Sequence, residues 1–338
     1  MRHTTLGRGA VSVSGLSFGA AGIGNLHTPV SSEQALAAVD AAWDAGIRYF
    51  DTAPHYGLGL SERRLGEALR DRARDSYTVS TKVGRRLEAV SDTGSAGDDL
   101  AHGFAVPATH RRVWDFSADG VRRALDDSLG RLGLDRVDIV YLHDPDDHED
   151  EAFQQAYPAL ERLRAEGVVG AIGAGMNQTA MLTRFLRDTD VDVVLCAGRF
   201  TLLDRSALTE LLPEAGARGR SVIVGGVFNS GLLADPRPGA TYDYTAAPPA
   251  LLDRALRMDA VTRRYGLPLR AAALHYPLRH PAVAGVLVGT RSAAEVRDVA
   301  ELLGRTVPED LWAELRAEGL LSEDPAPGEP TAEGGAAS

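Results

Sequence analysis

Short apolar runs alternate with amphipathic runs along almost the whole chain, and this alternation constrains the fold more than any other feature. Strands are expected at 16–20, 49–52, 77–82, 137–142, 168–172, 191–195, 221–224 and 283–288. Helices are expected at 32–45, 61–72, 117–132, 151–165, 178–187, 206–218 and 249–265. A further helix is expected at 267–276, before the last strand, and two more at 292–303 and 308–318, after it. Strands separated by helices indicate a parallel sheet. Eight such units select a closed (β/α)8 barrel, a TIM barrel, over an open doubly wound sheet. The Gly-rich stretch Gly19-Ala20-Ala21-Gly22-Ile23-Gly24 leads into a loop rather than opening a helix, which disfavours a Rossmann dinucleotide fold.

A barrel of this kind takes about 250 residues, and the chain has 338. The surplus falls in three places. Residues 1–15 are expected to form a hairpin capping the barrel floor. Residues 84–116 make a long connection after the third strand, of the length of a lid, a binding loop or a disordered segment. Residues 322–338, rich in Pro, Gly, Ala and Glu, read as a disordered tail. The expectation is one barrel domain over 1–321 followed by that tail.

Composition narrows the function. The net charge is -11, with 47 acidic against 36 basic residues, so a polyanion is repelled at long range. The arginines are scattered rather than striped, and nucleic acid binding is not expected. No apolar stretch reaches the roughly 18 residues of a membrane span, and the N-terminal residues lack the apolar core of a signal peptide. The single cysteine, Cys196, cannot form an internal disulfide. Together these features point to the cytoplasm. Only one basic residue, Lys82, is a lysine; every other one is Arg. Lysine is a compact, tunable point charge where Arg is a broad fork that stays protonated, so a lone Lys in an Arg-rich chain marks a candidate functional position.

Barrel active sites lie at the carboxyl ends of the strands. Asp51 ends the second strand, Lys82 the third, and His143 follows the fourth. Adjacent strands lie about 4.8 Å apart, so these three residues line one mouth, and Tyr56 folds back over them from its loop. Taken singly, Asp51 also reads as a helix cap or salt-bridge partner, and Tyr56 as a packing anchor. The acidic run Asp144 to Asp150 after His143 reads as a solvated loop at a helix start. Only His27, not a His-x-His pair, follows the first strand, and no metal site is expected.

The segments Asp51-Thr52-Ala53-x-x-Tyr56-Gly57, Gly59-x-Ser61-Glu62-x-x-Leu65-Gly66, Thr81-Lys82, Leu142-His143 and Gly289-Thr290-Arg291-Ser292 resemble the signature of the aldo-keto reductase superfamily across nearly the whole barrel. The resemblance implies an oxidoreductase with a nicotinamide dinucleotide, NAD or NADP, across the mouth. The four polar positions make physical sense as a set. Hydride leaves or joins a carbon while a proton leaves or joins its oxygen. A tyrosine ionises near pH 10, and a neighbouring cation favours the phenolate. Lys82 would thus tune Tyr56 as general acid/base, Asp51 would hold Lys82 charged, and His143 would polarise or orient the substrate oxygen.

The resemblance also implies the dinucleotide site. Asn177 matches a position that holds the carboxamide. The family's Gln after the sixth strand falls near Ala197 and is absent. The stacking Tyr after the seventh strand falls at Gly225 or Gly226, with Phe228 as the available substitute. Gly226, Phe228, Asn229, Ser230, Gly231 and Leu232 match the pyrophosphate loop, where small residues open backbone N–H groups to phosphate. Arg291 and Ser292 match the adenosine-phosphate site at a helix start. Glu295 puts a carboxylate there and Val299 falls near the adenine contact, which leans the reading toward NAD.

Asp115-Phe116-Ser117, His143-Asp144-Pro145-Asp146 and Gly226 to Gly231 resemble the branch that oxidises the C1 hemiacetal of an aldose to a lactone. This implies a small-molecule substrate of the L-fucose, D-arabinose or L-galactose class; His110, Arg112 and Trp114 of the lid are candidates to touch sugar hydroxyls, and Trp114 reads equally as a packing residue. Pyridoxal 4-oxidation and general carbonyl reduction are the enzymatic alternatives. A cofactor-sensing protein without turnover is the alternative of another class, and the intact set of four polar residues argues against it. Oligomeric state is not legible in the sequence.

Overall fold

Strand residues alternate between two faces, and here both faces are apolar, so each strand is buried on both sides as parallel sheets require. A computed structural model describes residues 1–6, 9, 11–91 and 97–322. Eight parallel strands close into a barrel. They are β1 (Leu16–Gly19), β2 (Tyr49–Asp51), β3 (Thr78–Val83), β4 (Ile139–His143), β5 (Ala171–Met176), β6 (Val193–Ala197), β7 (Ser221–Gly225) and β8 (Val283–Gly289). The helices are α1 (Ser32–Asp44), α2 (Leu60–Leu69), α3 (Ala118–Leu132), α4 (Tyr157–Ala165), α5 (Thr179–Asp188), α6 (Leu211–Ala217), α7 (Pro249–Arg264), α8 (Leu269–His275), α9 (Ala293–Gly304) and α10 (Glu309–Ala317). The larger core lies between barrel and helices. A smaller one fills the barrel interior, with Tyr49, Ile139, Tyr141, Val193, Leu195, Ile223 and Leu287 at its centre.

The N-terminal hairpin pairs His3–Leu6 with Val11–Ser14. Its Leu6, Val11 and Val13 belong to the interior core, so the hairpin plugs the floor as expected. The long connection after β3 differs from an irregular loop. Arg85–Ala89 pairs with His110–Trp114 as an antiparallel ribbon, and Asp98–Asp99 pairs with Phe104–Pro107 beyond it. The ribbon is pinched at its root, where Gly84 takes φ +101° and a Cβ would stand 2.2 Å from the Phe116 ring.

The fifth strand also departs from expectation. It lies at Ala171–Met176, not 168–172. Val168 instead closes the turn after α4, its N–H donating to the Leu163 carbonyl at 2.9 Å. The Ala-Ile-Gly-Ala-Gly-Met segment has weak strand character of its own, and its glycines are dictated by neighbours: a Cβ on Gly173 would stand 1.8 Å from the Val193 carbonyl oxygen. The helix expected at 151–165 begins at Glu149 and passes through a wide turn at Ala152–Ala156 before α4. Of the expected tail, residues 323–338 lie outside the described residues. Among those described, no helix is long and apolar enough to cross a membrane.

Candidate active site

The last inward-facing position of each strand forms the rim of the barrel mouth. Read from β1 to β8, the rim is Gly19, Asp51, Lys82, His143, Gly175, Ala197, Gly225 and Gly289. Polar side chains therefore stand on three adjacent strands, and the other five positions carry no more than a methyl group. A Cβ on Gly289 would meet nothing within 4 Å, and one on Gly225 nothing closer than Leu195 Cδ2 at 3.5 Å. The bare side leaves a surface for a flat group beside the polar side.

Tyr56 enters from the turn after β2. Its N–H donates to the Ala53 carbonyl at 3.1 Å. Gly57 follows at φ +60°, where a Cβ would stand 2.2 Å from the Gly24 carbonyl oxygen. Thr52 and Ser61 share a hydroxyl contact at 2.8 Å, and Ser61 Oγ donates to the Ala20 carbonyl at 2.8 Å, tying turn, α2 and β1 together.

Lys82 Nζ donates to Asp51 Oδ2 at 2.6 Å, to the Thr52 carbonyl at 3.0 Å and to Tyr56 Oη at 3.1 Å. An ammonium has three protons and no lone pair, so its capacity is filled. Tyr56 Oη is the acceptor in that bond, and its own proton is free for another partner. Asp51 Oδ1 accepts from Ser80 Oγ at 2.6 Å. Ser80 has one proton, so Tyr49, whose hydroxyl lies 3.0 Å away, donates to it and in turn accepts from Tyr141 at 3.2 Å. This buried chain through Tyr141, Tyr49 and Ser80 fixes the carboxylate. Sequence reasoning missed it, although the inward period-2 register of β2, β3 and β4 carries the signal.

Burial alone would lower the Lys82 ammonium, but the Asp51 carboxylate and the Tyr56 phenol outweigh it and hold Lys82 above the ordinary lysine value. Burial pushes the Tyr56 phenol up to about 12, against the pull of Lys82. The expectation that Lys82 brings this phenol toward neutrality is thereby corrected for the protein without ligands: desolvation is the larger effect. His143 is held neutral, well below the ordinary histidine value, by burial and by the Arg85 and Lys82 cations. Its Nδ1 is buried without a partner.

The other expected positions all lie at the same end of the barrel. Asn177 is half-buried just after β5. Gly226 takes φ +64°, and a Cβ there would stand 3.0 Å from Gly198 N. Phe228 packs against the main core. Asn229 and Ser230 both take left-handed backbone, φ 45° and 55°. Buried Asn229 donates from Nδ2 to the Gly198 carbonyl at 3.3 Å and leaves Oδ1 without a partner. Ser230 Oγ accepts from Tyr244 N at 3.1 Å. Gly231 takes φ +104°. The Leu232 side chain is turned into the core, so only its backbone can face a ligand. Arg291 donates from N and Nε to the Glu295 carboxylate at 2.9 and 2.8 Å. Ser292 caps α9 by accepting from Glu295 N at 3.2 Å.

The lid residues separate. His110 sits at the far end of the ribbon, opposite Ala89, with its Nδ1 2.9 Å from Thr109 Oγ1. Trp114 lies at the root, stacked on Phe116 and under the Arg85 guanidinium. Arg112 is clamped: its two Nη atoms donate to the Asp99 carboxylate at 2.7 and 2.6 Å, and its Nε donates to His55 Nδ1. The acidic run after His143 is tied into pairs: Asp144 with Arg85, Glu149 with Arg184, and Asp146 accepting from Gln178 at 3.0 Å. Among the described residues, no group of three or more His, Cys, Asp or Glu side chains is arranged to hold a metal ion.

Comparison with known proteins agrees with this geometry. The Aldo/keto reductase family matches residues 15–318. The chain is 46% identical over 314 residues to D-threo-aldose 1-dehydrogenase of a Pseudomonas species, covering 92% of this chain and 95% of that protein. It is 39% identical over 333 residues to pyridoxal 4-dehydrogenase of Microbacterium luteolum, covering 94% and 97%. Among solved structures, the holo form of an aldo-keto reductase from Bacillus halodurans superposes with a TM-score of 0.74 at 28% identity, covering 94% of this chain and 96% of that one. With its barrel, its signature segments and its family match in agreement, the chain belongs to the aldo/keto reductase family and is an oxidoreductase.

Proposed function

We propose that the protein oxidises the C1 hydroxyl of a cyclic aldose to the lactone, with a nicotinamide dinucleotide as partner and NAD preferred over NADP. The observation that carries this reading is the saturated Lys82, which leaves the Tyr56 hydroxyl as the one group of the Asp51–Lys82–Tyr56 cluster able to exchange a proton with a substrate. Tyr56 rests as the phenol, and its minority phenolate, which the Lys82 ammonium stabilises, takes the proton from the C1 hydroxyl as the carbonyl forms. His143, held neutral, orients that hydroxyl from the opposite side; its ring lies 5.9 Å from that of Tyr56. Asp51 keeps Lys82 charged and in place. A cyclic hemiacetal already carries the oxygen that the lactone needs, so no water enters the step.

The bare rim from Gly175 to Gly289, the unpartnered Asn229 Oδ1 and the left-handed turn at Asn229–Gly231 fit a dinucleotide, with Asn177 and Ser230 as further polar partners. When bound, it supplies the acceptor for the C1 hydride. Arg291 already holds Glu295 through two hydrogen bonds, and a ribose phosphate would have to displace that carboxylate, which favours NAD. Pyridoxal is the second reading: it too presents a cyclic hemiacetal, and the Phe104 ring, 6.1 Å from that of Tyr56, offers an aromatic wall.

The test is the pure protein with NAD and NADP separately, against L-fucose, D-arabinose, L-galactose and pyridoxal, followed by reduced-nicotinamide absorbance. Oxidation of an aldose with NAD ahead of NADP is expected. Tyr56→Phe should lower turnover by about 10^2 to 10^4-fold with dinucleotide affinity unchanged. Normal turnover in that variant, or reduction of simple aldehydes without oxidation of any aldose, overturns the reading.

A further inference from the structure

His55 occupies one of the two unspecified positions in the Asp51-Thr52-Ala53-x-x-Tyr56-Gly57 segment, and its surroundings give it a definite chemical state. Arg112 Nε donates to His55 Nδ1, and Arg112 Nη2 donates to the His55 carbonyl at 3.0 Å. Arg112 is itself fixed by the bidentate Asp99 carboxylate, and both side chains are nearly buried. A guanidinium only donates, so Nδ1 is an acceptor. A neutral imidazole with Nδ1 accepting carries its one proton on Nε2. Burial and the Arg112 cation keep the ring neutral, with its value lowered to about 2.

The ring that carries this Nε2–H stands beside the reacting groups. His55 and Tyr56 are the two residues of the turn 51–57 that keep partial exposure, while the rest are buried. The His55 ring lies 5.6 Å from that of His143, 6.0 Å from Tyr56 and 5.2 Å from Phe104. Among the described residues, no protein group accepts from Nε2, which leaves it free to donate to a bound substrate.

We propose that His55 is a specificity-determining residue whose Nε2–H donates to the hydroxyl on the carbon next to the reacting one. The Asp99–Arg112 pair acts as its positioning clamp. Asp99 and Arg112 both belong to the excursion after β3, so that excursion reads the substrate through His55 and not through Arg112 itself. The assignment rests on the aldose reading above and names the part of the sugar that is recognised. Because His55 does not titrate in the working range, the discrimination it provides is independent of pH.

The test compares D-arabinose with 2-deoxy-D-ribose, the same sugar without its C2 hydroxyl, in the full chain at saturating NAD. Wild type should prefer D-arabinose by about 10-fold or more in kcat/KM, the worth of one buried hydrogen bond. His55→Phe should bring the two sugars to near parity by losing rate on D-arabinose alone. His55→Gln, which keeps a donor, should retain most of the preference. Arg112→Met, which frees the ring, should reduce it, and this variant carries the test if His55→Phe fails to fold. An equal loss on both sugars, or an unchanged preference in His55→Phe, overturns the assignment. If wild type oxidises neither sugar, the aldose reading fails instead. The same variants then face glycolaldehyde against acetaldehyde in the reductive direction, where unchanged discrimination in His55→Phe overturns the role of His55.

Discussion

Two opposing effects meet on the Tyr56 oxygen. The Lys82 ammonium 3.1 Å away favours the phenolate, and burial favours the phenol; burial wins, leaving the group at about 12. In the ligand-free protein Tyr56 is therefore a phenol at neutral pH. An ultraviolet difference titration of wild type against Tyr56→Phe should show no tyrosinate from this residue below about pH 10. Lys82→Met, which removes the largest lowering effect, should move its ionisation higher still. A Tyr56 tyrosinate signal at neutral pH would contradict the balance. Cys196 is the other residue whose state follows from burial. It lies fully inside the core, and desolvation pushes its thiol up to about 12. The native protein should resist thiol alkylation at mildly alkaline pH, and labelling should follow unfolding; rapid labelling of native protein would contradict this.

At the scale of elements, the signature after the turn that carries Tyr56 is mostly architecture. Glu62 of α2 is fully buried, where it accepts from Thr81 Oγ1 at 2.8 Å and pairs with Arg131 of α3 at 2.6 Å. It thus joins two helices to the strand that carries Lys82. Gly66 brings α2 and α3 close together: a Cβ there would stand 1.9 Å from the Leu132 carbonyl oxygen and 2.5 Å from its carbon. Helix propensity alone would make Gly66→Ala stabilising by about 1 kcal/mol. Because the obstacle is backbone, the variant should instead lose about 1–3 kcal/mol, read as a lower urea midpoint with unchanged slope. The excursion after β3 shows the same division. Its alternating Arg85-Arg86-Leu87-Glu88-Ala89 and His110-Arg111-Arg112-Val113-Trp114 segments form a ribbon that delivers Arg112 to His55, and the 98–99 strand beyond it delivers Asp99 to Arg112.

For the whole molecule, the buried proton inventory sets the alkaline limit. Tyr49, Tyr56 and Tyr141 are raised by burial, and Lys82 is raised by its partners against burial. Above about pH 10 the unfolded chain releases protons that the folded chain keeps. Native protein then binds more protons than unfolded, so stability falls as pH rises through the folded values. Urea midpoints should rise as pH passes up through the ordinary histidine value of about 6.5, because His55 and His143 stay neutral in the fold, and fall above about pH 10. In Tyr49→Phe the fall should be shallower, and an unchanged slope in that variant would argue against these groups as its source.

The alternation of apolar and amphipathic segments, written locally every few residues, determined the barrel and the strand ends bearing Asp51, Lys82 and His143. The spacing from Asp51 to Tyr56 likewise determined that the tyrosine returns over those ends. Tertiary structure decided what local pattern does not encode. It moved β5 onto a Gly-Ala stretch because Val193 leaves no room for a side chain at Gly173. It paired 85–89 with 110–114 as a ribbon whose partners lie more than twenty residues apart. It joined Tyr141 to Asp51 through Ser80 and Arg112 to His55, pairs far apart in sequence. It also set the state of Tyr56, because burial is a property of the assembled surroundings, and here burial outweighs the one cation that the sequence makes visible.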